Sequence, residues 1–474
     1  MQTIKVHKIG QNKGAPRVWL EGKQPFRAGF EPGKRYTVEV IHEKNMVALK
    51  VADVGDRYVS HKERCGNEVP IIDINSQSML GLFDGMDCIR VIMQQGMIFL
   101  LALATEVRKK ERINRLHEKL EKGESIAVGS LSHGGGVLSN AIHAGLERAG
   151  VESYLAFAND IDAELLEHAQ LHNEIWSDKT QFLAAPMQEL AFDEYASARL
   201  NKVEVLEAGI PCTAHSVAAR AKKKEQALPE DDPNVGHLVV AFLAIIAKVN
   251  PNVIVLENVP GYQASSSMSI IRNQLHDMGY LVHESVLVAS DWNCLEARQR
   301  LCMVAVTSGM EFNFESLLVP EKIERKLGEV LDAVAEDDGC WSAMDYLKAK
   351  EIRDAAKGNS FAMQVFDKDS DHINTIRKGY HKNGSSDPKI AHPSNPNLLR
   401  LLNQFEHARC KDIPEHLIAG MSKTAAHELL GQSIAYPPFV AVGHLVGLAL
   451  KGEIKACAAP QLQLPERQMK LMAA

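Results

Sequence analysis

Along the first hundred residues apolar and polar positions alternate in short runs divided by turn signals: Arg17-Val-Trp-Leu, the turn Glu31-Pro-Gly-Lys, Tyr36-Thr-Val-Glu-Val and Met46-Val-Ala-Leu-Lys-Val. Alternation puts one face of each run on a core, so these segments predict strands of a small β-barrel or sheet. From Leu103 to Lys122 the spacing becomes helical. Beyond Ser125 short strand-like runs alternate with helical stretches. Ile126-Ala-Val-Gly-Ser-Leu, Tyr154-Leu-Ala-Phe-Ala, Val203-Glu-Val-Leu, Val253-Ile-Val-Leu, Val282 to Val288 and Leu301 to Val306 predict strands. Helices are predicted over Val137 to Ala149, Ala163 to Asn173 and His237 to Val249, the last with Leu238, Phe242, Ile245 and Ile246 on one face. Strands buried on both faces and joined by helices call for a parallel sheet between helical layers. The fold class is therefore α/β, doubly wound and mostly parallel, behind an N-terminal β-rich domain.

From about Met310 to Pro396 the periodicity decays into polar loop segments such as Lys382-Asn-Gly-Ser-Ser-Asp-Pro and His392-Pro-Ser-Asn-Pro. Helical patterning returns at Asn397, and Pro438 to Lys451 is a final apolar helix able to rejoin the sheet. The expected division is a β-rich domain over 1–100, a basic helical linker over 101–123 and the sheet domain over 124–310. A smaller domain over 311–424, a return to the sheet domain over 425–455 and a tail over 456–474 complete it.

Composition changes this picture little. A chain of 474 residues with 45% hydrophobic and 24% charged residues can bury large cores in two or three domains. It has no apolar run long enough for a membrane span, and its start, Met-Gln-Thr-Ile-Lys-Val-His-Lys, lacks a signal-peptide core. A cytoplasmic location is expected. The eight cysteines form no C-x-x-C pair, so neither a disulfide framework nor a metal site is expected. Charge matters more: the net −7 divides into +6 over residues 1–123 and −13 over the rest. Within Val107 to Lys122 seven basic side chains face three acidic ones, which suits either a linker touching phosphates or a solvated helix.

In open parallel sheets ligands sit outside the carboxyl ends of the strands, and the unusual short segments of this chain fall there. Gly134, Gly135 and Gly136 follow a strand and open a helix. A nucleotide-like ligand could approach such a backbone closely, although the run serves equally as a tight turn. Asp160, ending the second strand, could accept ribose hydroxyls or cap the next helix. Cys212 follows a strand and Pro211, whose fixed φ stiffens the loop. A rigid, partly exposed cysteine near positive groups makes a thiolate nucleophile, while a small buried hydrophobe is the other role open to a cysteine and suits Cys302 better. Glu257 ends the run Val253 to Leu256, either solvated or, if desolvated in the crevice, able to donate a proton. Arg298 and Arg300 precede another apolar run, suited to phosphate, to holding a thiolate, or to surface ion pairs.

Taken in order, Leu131-Ser-His-Gly-Gly-Gly136, Asn159-Asp-Ile-Asp162, Gly209-Ile-Pro-Cys212, Glu257-Asn-Val259 and Arg298-Gln-Arg300 resemble successive motifs of the DNA (cytosine-5) methyltransferase family. Arg400-Leu-Leu-Asn-Gln-Phe-Glu-His-Ala-Arg409 and Gly431-Gln-Ser433 resemble its last two motifs. The resemblance implies a Rossmann-like methyltransferase sheet with a target-recognition domain in the variable region. It implies that the Cys212 sulfur adds to C6 of a flipped cytosine while Glu257 contacts N3 and the exocyclic amine, with Arg298 and Arg300 supporting the base. It assigns S-adenosylmethionine as cofactor to Leu131, Ser132, Gly134, Gly135, Gly136, Asp160, Ile161, Pro211 and Ser433. Double-stranded DNA is the implied partner, with Thr213 and, in Asn374 to Lys382, Arg377, Lys378, Tyr380 and Lys382 as DNA contacts, where an exposed basic loop is the other reading. A monomer is expected, with a cognate restriction endonuclease as a candidate partner. Separately, Arg17 to Val51, with Gly29-Phe30-Glu31-Pro32-Gly33 at a turn, resembles SymE- and AbrB-type swapped-hairpin domains, some of which bind DNA.

The chain departs from the family pattern at four places. His133 stands where the first motif has glycine, Thr213 where glutamine follows the cysteine, and Gln432 where asparagine is usual. Ala184-Ala-Pro-Met-Gln188 occupies the place of an acid after the third strand. These bear on cofactor affinity and turnover, so two alternatives stand beside the enzyme: an inactive DNA-binding protein of the same fold and an RNA cytosine-5 methyltransferase.

Overall fold

A computed structural model describes residues 2–211 and 229–454, and the chain divides into two compact units, Met1–Glu111 and Arg112–Ala474. In the first unit Thr3–Lys8, Cys88–Gln94, Met97–Ala102, Met46–Val51, Arg35–Ile41 and Arg57–Tyr58 neighbour in that order in a six-stranded antiparallel sheet. A second, four-stranded sheet holds Gly10–Asn12, Ala15–Glu21, Asn67–Asn75 and Ser60–Arg64. Alternate residues such as Val18, Leu20, Val47, Leu49, Ile72 and Ile74 turn inward to one apolar core, as a period of two demands.

The second unit is built on a seven-stranded sheet. Its strands in chain order are β1 (Ile126–Leu131), β2 (Ser153–Asp160), β3 (Gln181–Ala184), β4 (Val205–Ala208), β5 (Val253–Asn258), β6 (Tyr280–Val288) and β7 (Gln299–Thr307). The spatial order is β3-β2-β1-β4-β5-β7-β6; β1 to β5 are parallel and β7 runs antiparallel to both β5 and β6. Val128, Val205, Val253, Val255 and Val304 face helices Val137–Arg148, Lys423–Gln432 and Tyr436–Lys451. Leu206, Ile254, Leu256, Met303 and Ala305 face Met187–Phe192, Leu238–Val249 and Ser266–Asp277 on the other side. Helix Tyr436–Lys451 packs on helix Val137–Arg148 at backbone contact: a Cβ on Gly145 would lie 2.3 Å from the Val440 carbonyl oxygen.

The basic helix is Ala104–Lys122; Glu118, Glu121 and Lys122 are exposed on it, but three of its cations turn to the sheet domain. Arg112 is buried, with its guanidinium 3.8 Å from the Tyr280 ring centroid and Nη2 donating to the Gly279 carbonyl at 2.7 Å. Arg115 and Lys119 pair with the buried Glu204 at 2.8 and 2.7 Å. These cations anchor the helix on the amino-terminal side of the sheet. Between Phe312 and Cys410 short helices and strand pairs surround a separate core of Leu295, Leu327, Val330, Ile373, Ile376, Tyr380, Ile390, Leu402 and Cys410. Among the described residues no single helix is long and apolar enough to cross a membrane.

Candidate active site

The strand order reverses at β1 and β4, the place where an open sheet parts its loops into a crevice. β1 ends at the buried Leu131, and the following turn has Ser132, Gly134 and Gly136 at φ of 55°, 55° and 75°. Of the three glycines only Gly134 faces open space, with no atom within 4 Å of where a Cβ would stand. Gly135 abuts Leu429, and Gly136 is packed on His133 and Asn173. The Gly134 amide donates to Asp160 Oδ2 at 2.7 Å, and the Asp162 amide to Asp160 Oδ1 at 3.0 Å. The cap of helix Ala163–His172 is Asp162, whose side chain accepts from the Leu165 amide, so Asp160 is not the helix cap. Its half-buried carboxylate and the exposed Ile161 border the open turn.

His133 does not enter this crevice. Its ring is buried under the turn, Nδ1 2.7 Å from the Ser130 hydroxyl and edge-on to Trp176 at 5.6 Å. Burial lowers its pKa to about 3, so the ring is neutral. The largest departure in the first motif therefore leaves the open turn clear.

β4 leads to Gly209, whose amide donates to the Leu131 carbonyl at 3.2 Å, and on to the exposed Pro211. Cys212 and Thr213 lie outside the described residues. Glu257, the penultimate residue of β5, pairs through Oε1 with Arg300 Nε of β7 at 2.7 Å. A Cβ on Gly209 would stand 3.6 Å from the other oxygen, Oε2, which therefore borders the loop that precedes Cys212. Burial pushes the Glu257 carboxyl up against the opposing pull of Arg300 and Arg298. Cys294, Cys302 and Cys410 are buried, and burial pushes all three thiols up, away from thiolate chemistry.

Arg298 is placed differently from Arg300. It is 1% exposed and donates to Glu296 Oε1 at 3.1 Å and to the Gly431 carbonyl at 3.0 Å. It ties the sheet to the last motif rather than lining the crevice. Tyr380 likewise is a core residue, its hydroxyl donating to the Pro388 carbonyl and accepting from the Leu402 amide, both at 2.9 Å. The DNA contact expected of Tyr380 is closed to it by this burial. Lys378 and Lys382 are exposed, and Arg377 is held by Asp387 at 2.6 Å. Their loop packs on the last motif: a Cβ on Gly431 would meet the Lys378 nitrogen at 2.3 Å. The half-buried Ser433 donates its hydroxyl to the Leu429 carbonyl at 2.8 Å.

One site residue escaped the sequence reading. Glu207 on β4 is 2% exposed, on the same face as Glu257. A lone acid inside the apolar run Val205 to Ala208 was its signal.

The geometry can be set beside known proteins. The sequence profile described as C-5 cytosine-specific DNA methylase matches residues 139–446. The chain is 27% identical over 292 residues to the type II methyltransferase M.SsoII of Shigella sonnei, covering 58% of this chain and 74% of that protein. It is 27% identical over 249 residues to the type II methyltransferase M1.ScrFI of Lactococcus lactis subsp. cremoris, covering 50% of this chain and 61% of that one. The S. pombe Dnmt2 methyltransferase structure shares the fold, with a TM-score of 0.54 at 18% identity over 69% of this chain and 98% of that chain. The profile spans well over half of the sequence, and the chain belongs to the C-5 cytosine-specific DNA methylase family.

Proposed function

We propose that this protein transfers a methyl group from S-adenosylmethionine to C5 of a cytosine flipped out of duplex DNA, through a covalent adduct with Cys212. The observation that carries the reading is Glu257: one oxygen is fixed by Arg300 at 2.7 Å and the other, which has no partner among the described residues, borders Gly209, three residues before Cys212. Members of this family generally use S-adenosylmethionine, which when bound supplies an electrophilic methyl group on a sulfonium. The turn fits such a nucleoside group: Gly134 leaves open space, Asp160 keeps lone pairs for ribose hydroxyls, and Ile161 offers an exposed apolar side chain to the base. Ser132, Pro211 and Ser433 would complete its walls, with the buried Leu131, Gly135 and Gly136 supporting the turn from behind.

In this reading the Cys212 thiolate adds to C6, breaking the C5–C6 π bond, as Glu257 gives a proton to N3. The enamine carbon C5 takes the methyl group as its bond to the sulfonium sulfur breaks, leaving a neutral thioether. Loss of the C5 proton to solvent, elimination of the sulfur and return of the N3 proton to Glu257 restore the aromatic base and the enzyme. Arg300 keeps Glu257 oriented throughout. A base inside the stack cannot reach these groups, so flipping is required. Lys378 and Lys382, with Arg377, would contact phosphates, and Thr213 the target. Duplex DNA and transfer RNA offered together with tritiated S-adenosylmethionine test the reading. Label at C5 of DNA cytosine is expected; no label, or label on the RNA alone, would refute it.

A further inference from the structure

The sheet face that carries Glu257 holds a second carboxyl which the mechanism above leaves unused. Glu207 on β4 lies opposite Ser130 of β1 and Val255 of β5. Residues two apart on a strand share a face, so Glu207 and Glu257 are diagonal neighbours, about 8 Å apart at the backbone, a gap two glutamate side chains can close. The groups facing Glu207 are the hydroxyls of Ser130 and of Ser139, on helix Val137–Arg148, and the Glu257 carboxyl. His133, joined to Ser130, is neutral. Glu257 in turn faces Arg300 and lies opposite Cys302 on β7, with Arg298 and Lys411 acting at longer range. Among the described residues Glu207 has no cation paired with it, and its Oε1 has no hydrogen-bond partner. A charge there would be desolvated and set against another carboxylate. Burial and that neighbour push the Glu207 carboxyl up to about 8, with the two serine hydroxyls pulling the other way.

We propose that Glu207 is a positioning residue for methyl transfer, pairing with Glu257 so that the two carboxyls hold one proton in common and keep it available to N3 of the target cytosine. Two carboxyls in one low-dielectric site do not both ionise readily, so removing one lets the other lose its proton at lower pH. The inference rests on Glu257 being the proton donor of the proposed reaction. Its test is release of tritium to water from [5-3H]cytosine in long duplex DNA, by the full chain without a methyl donor, between pH 6 and 9. In that exchange the sulfur adds to C6 as Glu257 protonates N3, water protonates C5, and loss of the triton to water with elimination of the sulfur restores the base.

Glu207→Gln is expected to match wild type at pH 6 and to run about fivefold slower at pH 8 and about tenfold slower at pH 9, its alkaline limb displaced by about one unit. Glu207→Asp, which keeps a carboxyl, is expected to return the limb toward wild type. An identical limb in wild type and Glu207→Gln, or slowing by one factor at every pH, would overturn the inference. No exchange by the wild type would instead overturn the roles of Cys212 and Glu257.

Discussion

Arg300 and Glu257 meet across the antiparallel strands β7 and β5, Nε to Oε1 at 2.7 Å, both side chains mostly buried. The pair divides the carboxylate into an oxygen committed to the protein and one left to the crevice. Burial raises the proton affinity of Glu257 and Arg300 lowers it, so the arginine orients the acid while restraining its basicity.

Arg300→Met is therefore expected to move the alkaline limb of C5-tritium exchange to higher pH, because the charge that favours ionised Glu257 is gone. The rate at pH 7 should fall about 10- to 100-fold as the carboxyl loses its fixed orientation. The direction is opposite to that expected of Glu207→Gln. A limb displaced to lower pH would show that Arg300 does not act on Glu257.

Arg298 calls for a different measurement. Its guanidinium, together with Lys411 at 3.5 Å, compensates the fully buried Glu296. Arg298→Met would leave that acid short of a partner and is expected to destabilise the protein by about 3–5 kcal/mol. Urea unfolding reads this directly, and an unchanged midpoint would contradict it.

Glu207 also makes stability depend on pH. Its folded pKa of about 8 lies above its ordinary value near 4.5, so the folded state holds the proton more tightly than the unfolded chain. The stabilisation is full below the unfolded value and is lost as pH rises through 8. Glu207→Gln removes that loss. The melting temperature of the variant relative to wild type should rise between pH 5 and 8.5, reflecting a few kcal/mol. A constant difference across that range would show that Glu207 does not titrate on folding.

Much of the sheet domain is legible because β1, β2, β5 and β7 are apolar in runs that no solvated element would carry, whereas β6 is marked by the apolar pairs on either side of His283-Glu-Ser. β3 is placed by the family resemblance and not by its own pattern: it is an edge of four residues with alternate ones exposed. The strand expected over Val203 to Leu206 stands at Val205–Ala208, since the acid at 207, which looks like a strand end, is in fact inside. Thr3–Lys8 escaped for a similar reason, as an edge strand with no fully buried residue. Site residues followed the same rule. Glu257, Asp160 and Gly134 are marked by their position at strand ends, whereas the burial of Arg298, Tyr380 and Arg112 depends on distant partners: Gly431, Leu402 and Thr307. Local sequence does not encode such pairings.

Cys212 remains the centre of the account, and covalent trapping tests it most directly. Duplex DNA containing 5-fluorocytosine blocks the last step, because fluorine at C5 cannot leave as a proton does. With S-adenosylmethionine present, wild type is expected to form a denaturant-stable protein–DNA adduct, and Cys212→Ser to form none while still binding DNA. An adduct that persists in Cys212→Ser, or none with wild type, would contradict the account.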